Sequence, residues 1–192
     1  MKIGLSTGKP KLIMTSKIIL ILFVIPYSVF PFDGQRKGFN AGFGMGISPY
    51  ATFDRERSVD GENIGLALKL MIGYGFDENN ILAYEINTID ANSDELKMTS
   101  IGKGLFSVSL YHYFNGIPLG RLFGNAGAGM MDFESKYTNI GGTGLGFKMG
   151  IGLEFWRHWQ FESYLIWGST KSNDDRTTDH TILSLLLSAH AF

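Results

Sequence analysis

Five ionisable side chains stand singly among small and apolar residues, and they are the first candidates for chemistry. They are Lys69, Glu85, Lys148, Glu154 and Glu162. Ammonium and carboxylate groups withdrawn from water are stable only when they pair with one another. Such pairs could act as a gate that responds to protons or as an ion-pair network that holds the fold together. We favour the structural network.

A second cluster of candidates, Asp174, Asp175, Asp179 and His180, lies near the end of the chain. Paired acids and an Asp–His pair are residue types that serve as general acid and base. All four lie within seven residues of one loop, however, so they do not face each other across a site. We therefore interpret them as a solvated loop cluster.

The other residues with catalytic or ligating potential form no motif. His112 and His190 have no serine and acid at a spacing that suggests a triad. The four histidines are dispersed, cysteine is absent and no D-x-D-x-D-G loop occurs, which argues against a metal site. Glycines 42, 44 and 46 continue as a strand pattern and form no dinucleotide fingerprint. We expect no catalytic residue, no metal and no cofactor.

The elements that position the five isolated charges are strands. Between residues 143 and 155, large apolar side chains occupy every second position, and small or charged residues lie between them. The large residues are Leu145, Phe147, Met149, Ile151, Leu153 and Phe155. An alternation of period two is typical of a strand with two unlike faces. The same pattern recurs along most of the chain after residue 33.

Eight such segments occur, at 36–48, 62–76, 80–89, 101–114, 120–132, 142–156, 159–168 and 179–192. Three connections are short, at 77–79, 115–119 and 157–158, and these predict hairpin turns. The other four, at 49–61, 90–100, 133–141 and 169–178, are longer and polar. We predict an all-β fold, an eight-stranded antiparallel up-and-down barrel with a turn end and a loop end.

The composition indicates which face of the strands points inward. The chain has 25 glycines, 44 % hydrophobic residues and only 18 % charged residues. A solvated outer face would carry Lys, Glu, Thr and Gln, whereas the non-apolar face here is largely glycine with a few charges. A narrow barrel needs small residues inside, and its apolar face then contacts lipid. We therefore predict a transmembrane barrel, with a soluble lipocalin-like barrel as the alternative.

Aromatic residues flank the three short turns, as expected of a girdle at a membrane–water boundary. They are Tyr74, Phe76, Tyr111, Tyr113, Phe114, Phe155, Trp156, Trp159 and Phe161. This placement supports the lipid-facing orientation, although packing beneath hairpins would give a similar distribution in a soluble sandwich.

The first 33 residues differ from the rest of the chain. Four lysines and no acid precede an uncharged run from Ile18 to Phe32, which predicts a signal peptide over 1–33 and a barrel domain over 34–192. Met14 is an alternative start, and the cleavage site is not defined by a small-x-small triplet. Beyond residue 33 acidic side chains outnumber basic ones by about four, which argues against a nucleic-acid partner.

Together, the export signal, the alternating strands and the aromatic Phe192 resemble the small eight-stranded outer-membrane barrels, which include the membrane domain of outer-membrane protein A. The resemblance covers about 36–192. Because the last predicted strand reaches the end of the sequence, we expect no appended peptidoglycan-binding domain. The resemblance implies a monomer in the cell outer membrane, contacts with lipid and lipopolysaccharide, and insertion by the barrel-assembly machinery. Phe192 departs from the family pattern, because it shares its phase with Ser184, Ser188 and His190 and not with Leu183, Leu185 and Leu187.

Several functions fit this architecture. We expect a non-enzymatic outer-membrane barrel with a structural role in the envelope or a surface-interaction role through loops 49–61, 90–100, 133–141 and 169–178. The alternatives are a lipid-modifying barrel enzyme, a passive pore or a soluble ligand-binding barrel.

Overall fold

The computed structural model describes residues 35–55, 58–60, 64–93, 98–114, 120–135, 141–172 and 175–192. These ranges form nine strands: β1 (Gly38–Arg55), β2 (Ser58–Asp60), β3 (Gly65–Gly75), β4 (Asn80–Ser93), β5 (Met98–Tyr113), β6 (Arg121–Ser135), β7 (Gly141–Trp156), β8 (Trp159–Ser172) and β9 (Thr177–Ala191). No helix within them is long and apolar enough to cross a membrane. The signal peptide expected over 1–33 lies outside the described residues.

Eight of these strands form a closed barrel wall. Each strand pairs antiparallel with the next one in the chain, and β9 pairs with β1 to close the barrel. The three-residue strand β2 pairs only with the end of β1 and lies outside this closed order. The predicted eight-stranded antiparallel up-and-down barrel is therefore confirmed. Closure leaves the wall without a free sheet edge, which is a requirement for a sheet in hydrocarbon.

The two faces of the wall are arranged as the alternation predicts. On β7, Leu145 and Ile151 are 71 % and 66 % exposed, whereas Gly146, Lys148 and Gly150 between them are buried. The other strands likewise direct aliphatic and aromatic side chains outward. This is the reverse of a soluble lipocalin-like barrel, which directs its large apolar residues inward.

The strands extend further at the loop end than the sequence pattern predicts. β1 continues beyond residue 48 to Arg55, across a register shift between Ile47 and Tyr50 that accommodates Pro49. The connections expected at 90–100, 133–141 and 169–178 also begin and end as strand. Backbone hydrogen bonding between strands continues beyond the last alternating apolar residue of each strand. The alternation therefore marks the lipid-facing zone of the wall, which we call the apolar belt, and not the ends of the strands.

The barrel interior contains large side chains as well as glycine and charge. One buried apolar cluster lies toward the loop end and comprises Ala51, Ala67, Ile89, Leu105, Met131, Tyr164, Ile166, Ile182 and Leu186. A second lies toward the turn end and comprises Met71, Ile81, Ala83, Tyr111, Tyr113 and Phe123. The placement of Tyr111 and Tyr113 in the aromatic girdle is therefore wrong, because both are fully buried inside.

Glycine makes room for these interior side chains. A Cβ added at Gly146 would lie 2.7 Å from Cδ1 of Leu105, and one added at Gly42 would lie 3.0 Å from the His190 ring. The glycine-rich phase is thus the inner face, and bulky side chains from other strands fill the space above these glycines.

Candidate functional site in the barrel interior

Four of the five charges singled out in the sequence meet at the centre of the barrel. Lys69 on β3 forms an ion pair with Glu162 on β8. Lys148 on β7 forms a second pair with Glu85 on β4, with 2.6 Å between Nζ and Oε2. All four side chains are completely buried. Because each pair joins strands that are not neighbours in the wall, the two pairs bridge the lumen.

Hydroxyl groups from neighbouring strands donate further hydrogen bonds to the two carboxylates. Ser109 on β5 donates a hydrogen bond of 2.6 Å to Glu85, and the Tyr111 hydroxyl donates to the other oxygen of the same carboxylate. Ser188 on β9 donates a hydrogen bond of 2.6 Å to Glu162. Such additional bonds allow a buried ion pair to offset its large desolvation penalty.

Tyrosine rings surround the two ammonium groups. The Lys148 nitrogen lies 5.6 Å from the centroid of Tyr111 and 4.9 Å from that of Tyr164. The Lys69 nitrogen lies 5.6 Å from the Tyr111 centroid as well. Tyr111 therefore contacts both cations and one of the anions, and it links the two ion pairs into a single network.

Glu154, the fifth predicted member, belongs to a separate cluster at the turn end. It pairs with Arg36, whose guanidinium lies 4.2 Å from the Tyr113 ring centroid and 4.9 Å from that of Phe192. Arg36 lies just before β1 and Phe192 just after β9, so the cluster ties together the two strands that close the barrel. The structure thus divides the five predicted charges between a central network and this turn-end cluster.

Arg36, Tyr111 and Tyr113 are members of these clusters that sequence reasoning missed. The two tyrosines share the odd phase of β5 with the small polar residues Ser107 and Ser109, and that shared phase is the signal that could have placed them on the inner face. Arg36 is the first residue of the predicted segment 36–48, and no sequence signal identifies it as a member of the turn-end cluster.

The acidic and histidine candidates near the chain end do not form a catalytic pair. Asp179 is exposed on the outer face, where it accepts a hydrogen bond from Ser169. The adjacent His180 points inward, with Nε2 2.7 Å from the Thr170 hydroxyl and its ring 5.3 Å from that of Phe133. Asp179 and His180 therefore lie on opposite faces of β9. Asp174 lies outside the described residues.

His112 and His190 also lie on opposite sides of the wall. His112 is exposed and contacts the Asn80 side chain at 2.8 Å, whereas His190 is buried beside Tyr111. Within the described ranges, no three His, Asp or Glu side chains converge in a way that could hold a metal ion.

Comparison with known proteins agrees with the architecture. The family described as "Outer membrane protein beta-barrel domain" matches residues 19–184. No curated protein matches the sequence. Among solved structures, Neisserial surface protein A is similar over 80 % of this chain and 97 % of its own, at 11 % identity and a TM-score of 0.57.

Two further solved structures match with lower structural scores. The attachment invasion locus protein Ail of Yersinia pestis is 16 % identical over 79 % of this chain and 99 % of its own, with a TM-score of 0.46. The N-terminal β-barrel domain of OprF from Pseudomonas aeruginosa is 12 % identical over 81 % and 98 %, with a TM-score of 0.44. At such identities the likeness to Neisserial surface protein A concerns the fold alone.

Proposed function

Since this chain belongs to the outer membrane protein beta-barrel domain family and is an integral barrel of the outer membrane, we propose that its role there is non-enzymatic. The wall serves envelope integrity, and the loop end makes contacts at the cell surface. The alternative of a soluble lipocalin-like barrel is excluded by the family and by the outward-facing apolar residues.

The filled interior is the observation that carries this proposal. The two buried ion pairs lie between one apolar cluster toward the loop end and another toward the turn end. Occupation of the lumen by side chains in this way favours a structural wall over a pore. Stabilisation of the wall therefore accounts for the central charges without a gating role.

The loop end offers the chemistry for surface contacts. Asp132 and Glu134 on β6 and Lys171 on β8 are exposed there beyond the apolar belt. Lys171 pairs with Asp175 at 2.8 Å, and both side chains remain largely exposed. Exposed polar side chains on extended hairpins can form hydrogen bonds and ion pairs with a partner outside the cell. The segments that would make these contacts are 49–61, 90–100, 133–141 and 169–178.

The remaining partners follow from residence in the outer membrane. The proposal includes a cleaved signal peptide over 1–33, insertion of the 34–192 domain by the barrel-assembly machinery, and a monomer surrounded by lipid and lipopolysaccharide.

A deletion strain complemented with two forms of the protein tests this role. One form is the intact chain, and the other replaces the four loop-end segments by short turns. We expect deletion to raise sensitivity to detergent, the trimmed barrel to restore resistance, and only the intact chain to restore surface contacts. Unchanged detergent sensitivity and unchanged surface contacts in the deletion strain would contradict the proposal.

Two measurements separate this role from the alternatives. Mass spectrometry of lipid A from cells with and without the protein should give the same acyl pattern, and a changed pattern would favour a lipid-modifying enzyme. Planar bilayers containing the purified barrel should remain silent, because the lumen is packed. Steady conductance at the nanosiemens level would favour a pore.

A further inference from the structure

The segment before β1 folds over the turn end of the barrel. Residues 35–37, which we call the β1 strap, are followed by Gly38, whose φ of +111° lies in the left-handed region that favours glycine. The chain bends here, and the Arg36 side chain is buried beside inner-face residues instead of continuing the line of β1. Gly38 is therefore the hinge about which the strap can swing.

A small set of contacts anchors the strap. The Asn40 side chain donates hydrogen bonds of 2.7 Å to the Arg36 carbonyl and 2.9 Å to the Gly38 carbonyl. The Arg36 backbone N–H lies 3.4 Å from the Glu78 carboxylate, and the guanidinium forms the ion pair with Glu154 described above. Because the buried anchor carries a positive charge, a second positive charge nearby would weaken its attachment.

His190 lies behind the strap and makes no hydrogen bond through its ring. The ring centroid lies 6.5 Å from that of Tyr111, and a Cβ added at Gly42 would lie 3.0 Å from Nε2. The side chain is buried, and neither ring nitrogen has a hydrogen-bond partner in the described part of the chain. An imidazolium in such a place would lack the partners that a buried charge requires, so the ring is neutral while the strap is closed.

Ionisable groups from several elements face the His190 ring. They are Lys69 on β3, Glu85 on β4, Tyr111 on β5, Glu162 on β8 and Arg36 of the strap. β1 contributes Gly42, which has no ionisable group. His158, in the turn between β7 and β8, contacts the backbone carbonyl of His190 at 2.8 Å and not its ring.

The charges of this neighbourhood are already balanced. Lys69 pairs with Glu162 and Lys148 with Glu85 in the central network, and Arg36 pairs with Glu154 in the turn-end cluster. These two clusters therefore hold three cations and three carboxylates. A proton on His190 would add a positive charge without a counter-ion, which is costly in a buried site.

Two further polar groups near the strap lack partners. The side-chain carbonyl oxygens of Asn40 and Gln160 are buried and accept no hydrogen bond from the residues that the structure describes. Buried polar groups of this kind gain free energy when water reaches them. Hydration of these two oxygens would therefore offset part of the cost of opening the strap.

We propose that the β1 strap is an acid-responsive latch, in which protonation of His190 displaces Arg36 and admits water to the turn end of the lumen. In the open form the imidazolium is hydrated and no longer opposes the guanidinium. The apolar cluster toward the loop end stays packed, so the latch opens one half of the lumen and forms no pore. This inference goes beyond the proposed role in the envelope and does not depend on the loops.

Proton linkage gives the size of the effect. Imidazole in contact with water takes up a proton near pH 6.5, whereas the closed form requires a neutral ring. Below about pH 6.5 the open form therefore binds one proton more than the closed form. The ratio of open to closed barrels then rises about tenfold for each unit by which the pH falls.

Thiol labelling of the full chain in detergent micelles tests the latch, because the chain contains no cysteine of its own. Ala83→Cys places a thiol in the apolar cluster toward the turn end, and Ala67→Cys, the matched control, places one in the cluster toward the loop end. Both alanines are buried. Dividing each rate of reaction with a small water-soluble maleimide by that of exposed Lys171→Cys at the same pH removes the intrinsic pH dependence of the thiol.

We expect the relative rate for Ala83→Cys to rise about tenfold per pH unit below about pH 6.5, and that for Ala67→Cys to stay constant. His190→Gln, added to Ala83→Cys, should hold the rate at its pH 7 value, because an amide takes up no proton. Arg36→Ala should give rapid labelling of Ala83→Cys already at pH 7, because the anchor of the strap is gone.

The heat-modified gel band establishes that each variant is folded at each pH. A relative rate for Ala83→Cys that does not change with pH would overturn the latch. So would an equal rise for Ala67→Cys, or an unchanged pH response in His190→Gln. None of these results affects the proposed role in the envelope, which detergent sensitivity and surface contacts test separately.

Discussion

The ammonium group of Lys148 lies 2.6 Å from Oε2 of Glu85, and this contact joins β7 to β4 across the lumen. Both side chains are completely buried, so neither charge has access to bulk water when its partner is removed. The free-energy cost of a substitution here therefore depends on whether one partner or both are replaced. Removing one partner is far more costly than replacing both by neutral groups of similar size.

We expect Lys148→Ala to destabilise the barrel by about 3–5 kcal/mol, because it leaves the Glu85 carboxylate buried and unpaired. The matched control is Lys171→Ala, which removes an exposed partner of Asp175 and should cost no more than about 1 kcal/mol. Urea unfolding of the two variants in lipid vesicles, followed by the heat-modified gel band, measures both effects.

The double variant Lys148→Met with Glu85→Gln should recover part of the stability lost in Lys148→Ala, because it removes both charges of the buried pair. Equal destabilisation by Lys148→Ala and Lys171→Ala would contradict the network.

The turn-end cluster gives a second prediction. Arg36→Ala removes the ion pair with Glu154 and the contacts of the guanidinium with Tyr113 and Phe192. Since Glu154 is slightly exposed, we expect a loss of about 2–4 kcal/mol, near the lower end of the range for a broken buried pair. Lys37→Ala, at an exposed neighbouring position, is the control and should be nearly neutral. Unfolding midpoints that coincide for the two variants would show that the cluster does not secure the β1–β9 closure.

The sequence predicted the face of most residues but not their partners across the lumen. Period-two alternation fixes whether a side chain points inward, and so Lys69 and Glu162 could be placed on the inner face before the structure was known. Their pairing depends on the relative shift of β3 and β8, which are not neighbours in the wall. The hydrogen-bond registers of all the strand pairs around the barrel together determine that shift, and the alternation within one strand does not encode it.

The errors in the sequence interpretation have a related physical origin. The nearness of Tyr111 and Tyr113 to a turn predicts a place in the girdle, but nearness to a turn indicates only the depth of a residue in the membrane and not the face of the strand on which it lies. The polar composition of 169–178 predicts a loop, although β8 continues to Ser172 and β9 begins at Thr177. Backbone hydrogen bonding extends a hairpin beyond the bilayer without any apolar alternation to indicate it.

Glycines on the two faces of the wall predict a contrast between two substitutions, since Gly152 is buried on the inner face and Gly104 lies on the outward phase of β5 with Phe106. A methyl group at Gly152 would meet the Phe123 ring and lie 2.8 Å from the carbonyl oxygen of Phe161, whereas one at Gly104 would find its nearest neighbour at 3.6 Å. We expect Gly152→Ala to destabilise the barrel by about 1–3 kcal/mol through overpacking. Gly104→Ala should be neutral or slightly stabilising, since alanine restricts the unfolded chain. Urea unfolding at equal lipid composition compares the two, and a larger loss for Gly104→Ala would refute the packing explanation.

The turn between β3 and β4 predicts a dependence of stability on pH. Asp77 accepts hydrogen bonds from the Asn80 side chain and from the backbone N–H groups of Asn79 and Asn80. These bonds, that of the Asn80 side chain foremost, lower the pKa of Asp77 below its usual value of 3.8. A carboxyl whose pKa is lowered on folding stabilises the fold above its unfolded pKa, and this contribution is lost as the pH falls through the folded pKa.

The unaltered barrel should therefore lose stability below about pH 4 more steeply than an Asp77→Asn variant, in which position 77 has no charge to lose. Asp77 is fully exposed, so the difference will be small and is best measured as a shift in unfolding midpoint between pH 6 and pH 3. Glu78→Gln, a neighbouring acid in the same turn, is the control and should follow the unaltered chain. Parallel pH profiles for the unaltered barrel and Asp77→Asn would show that the carboxylate charge does not stabilise the turn.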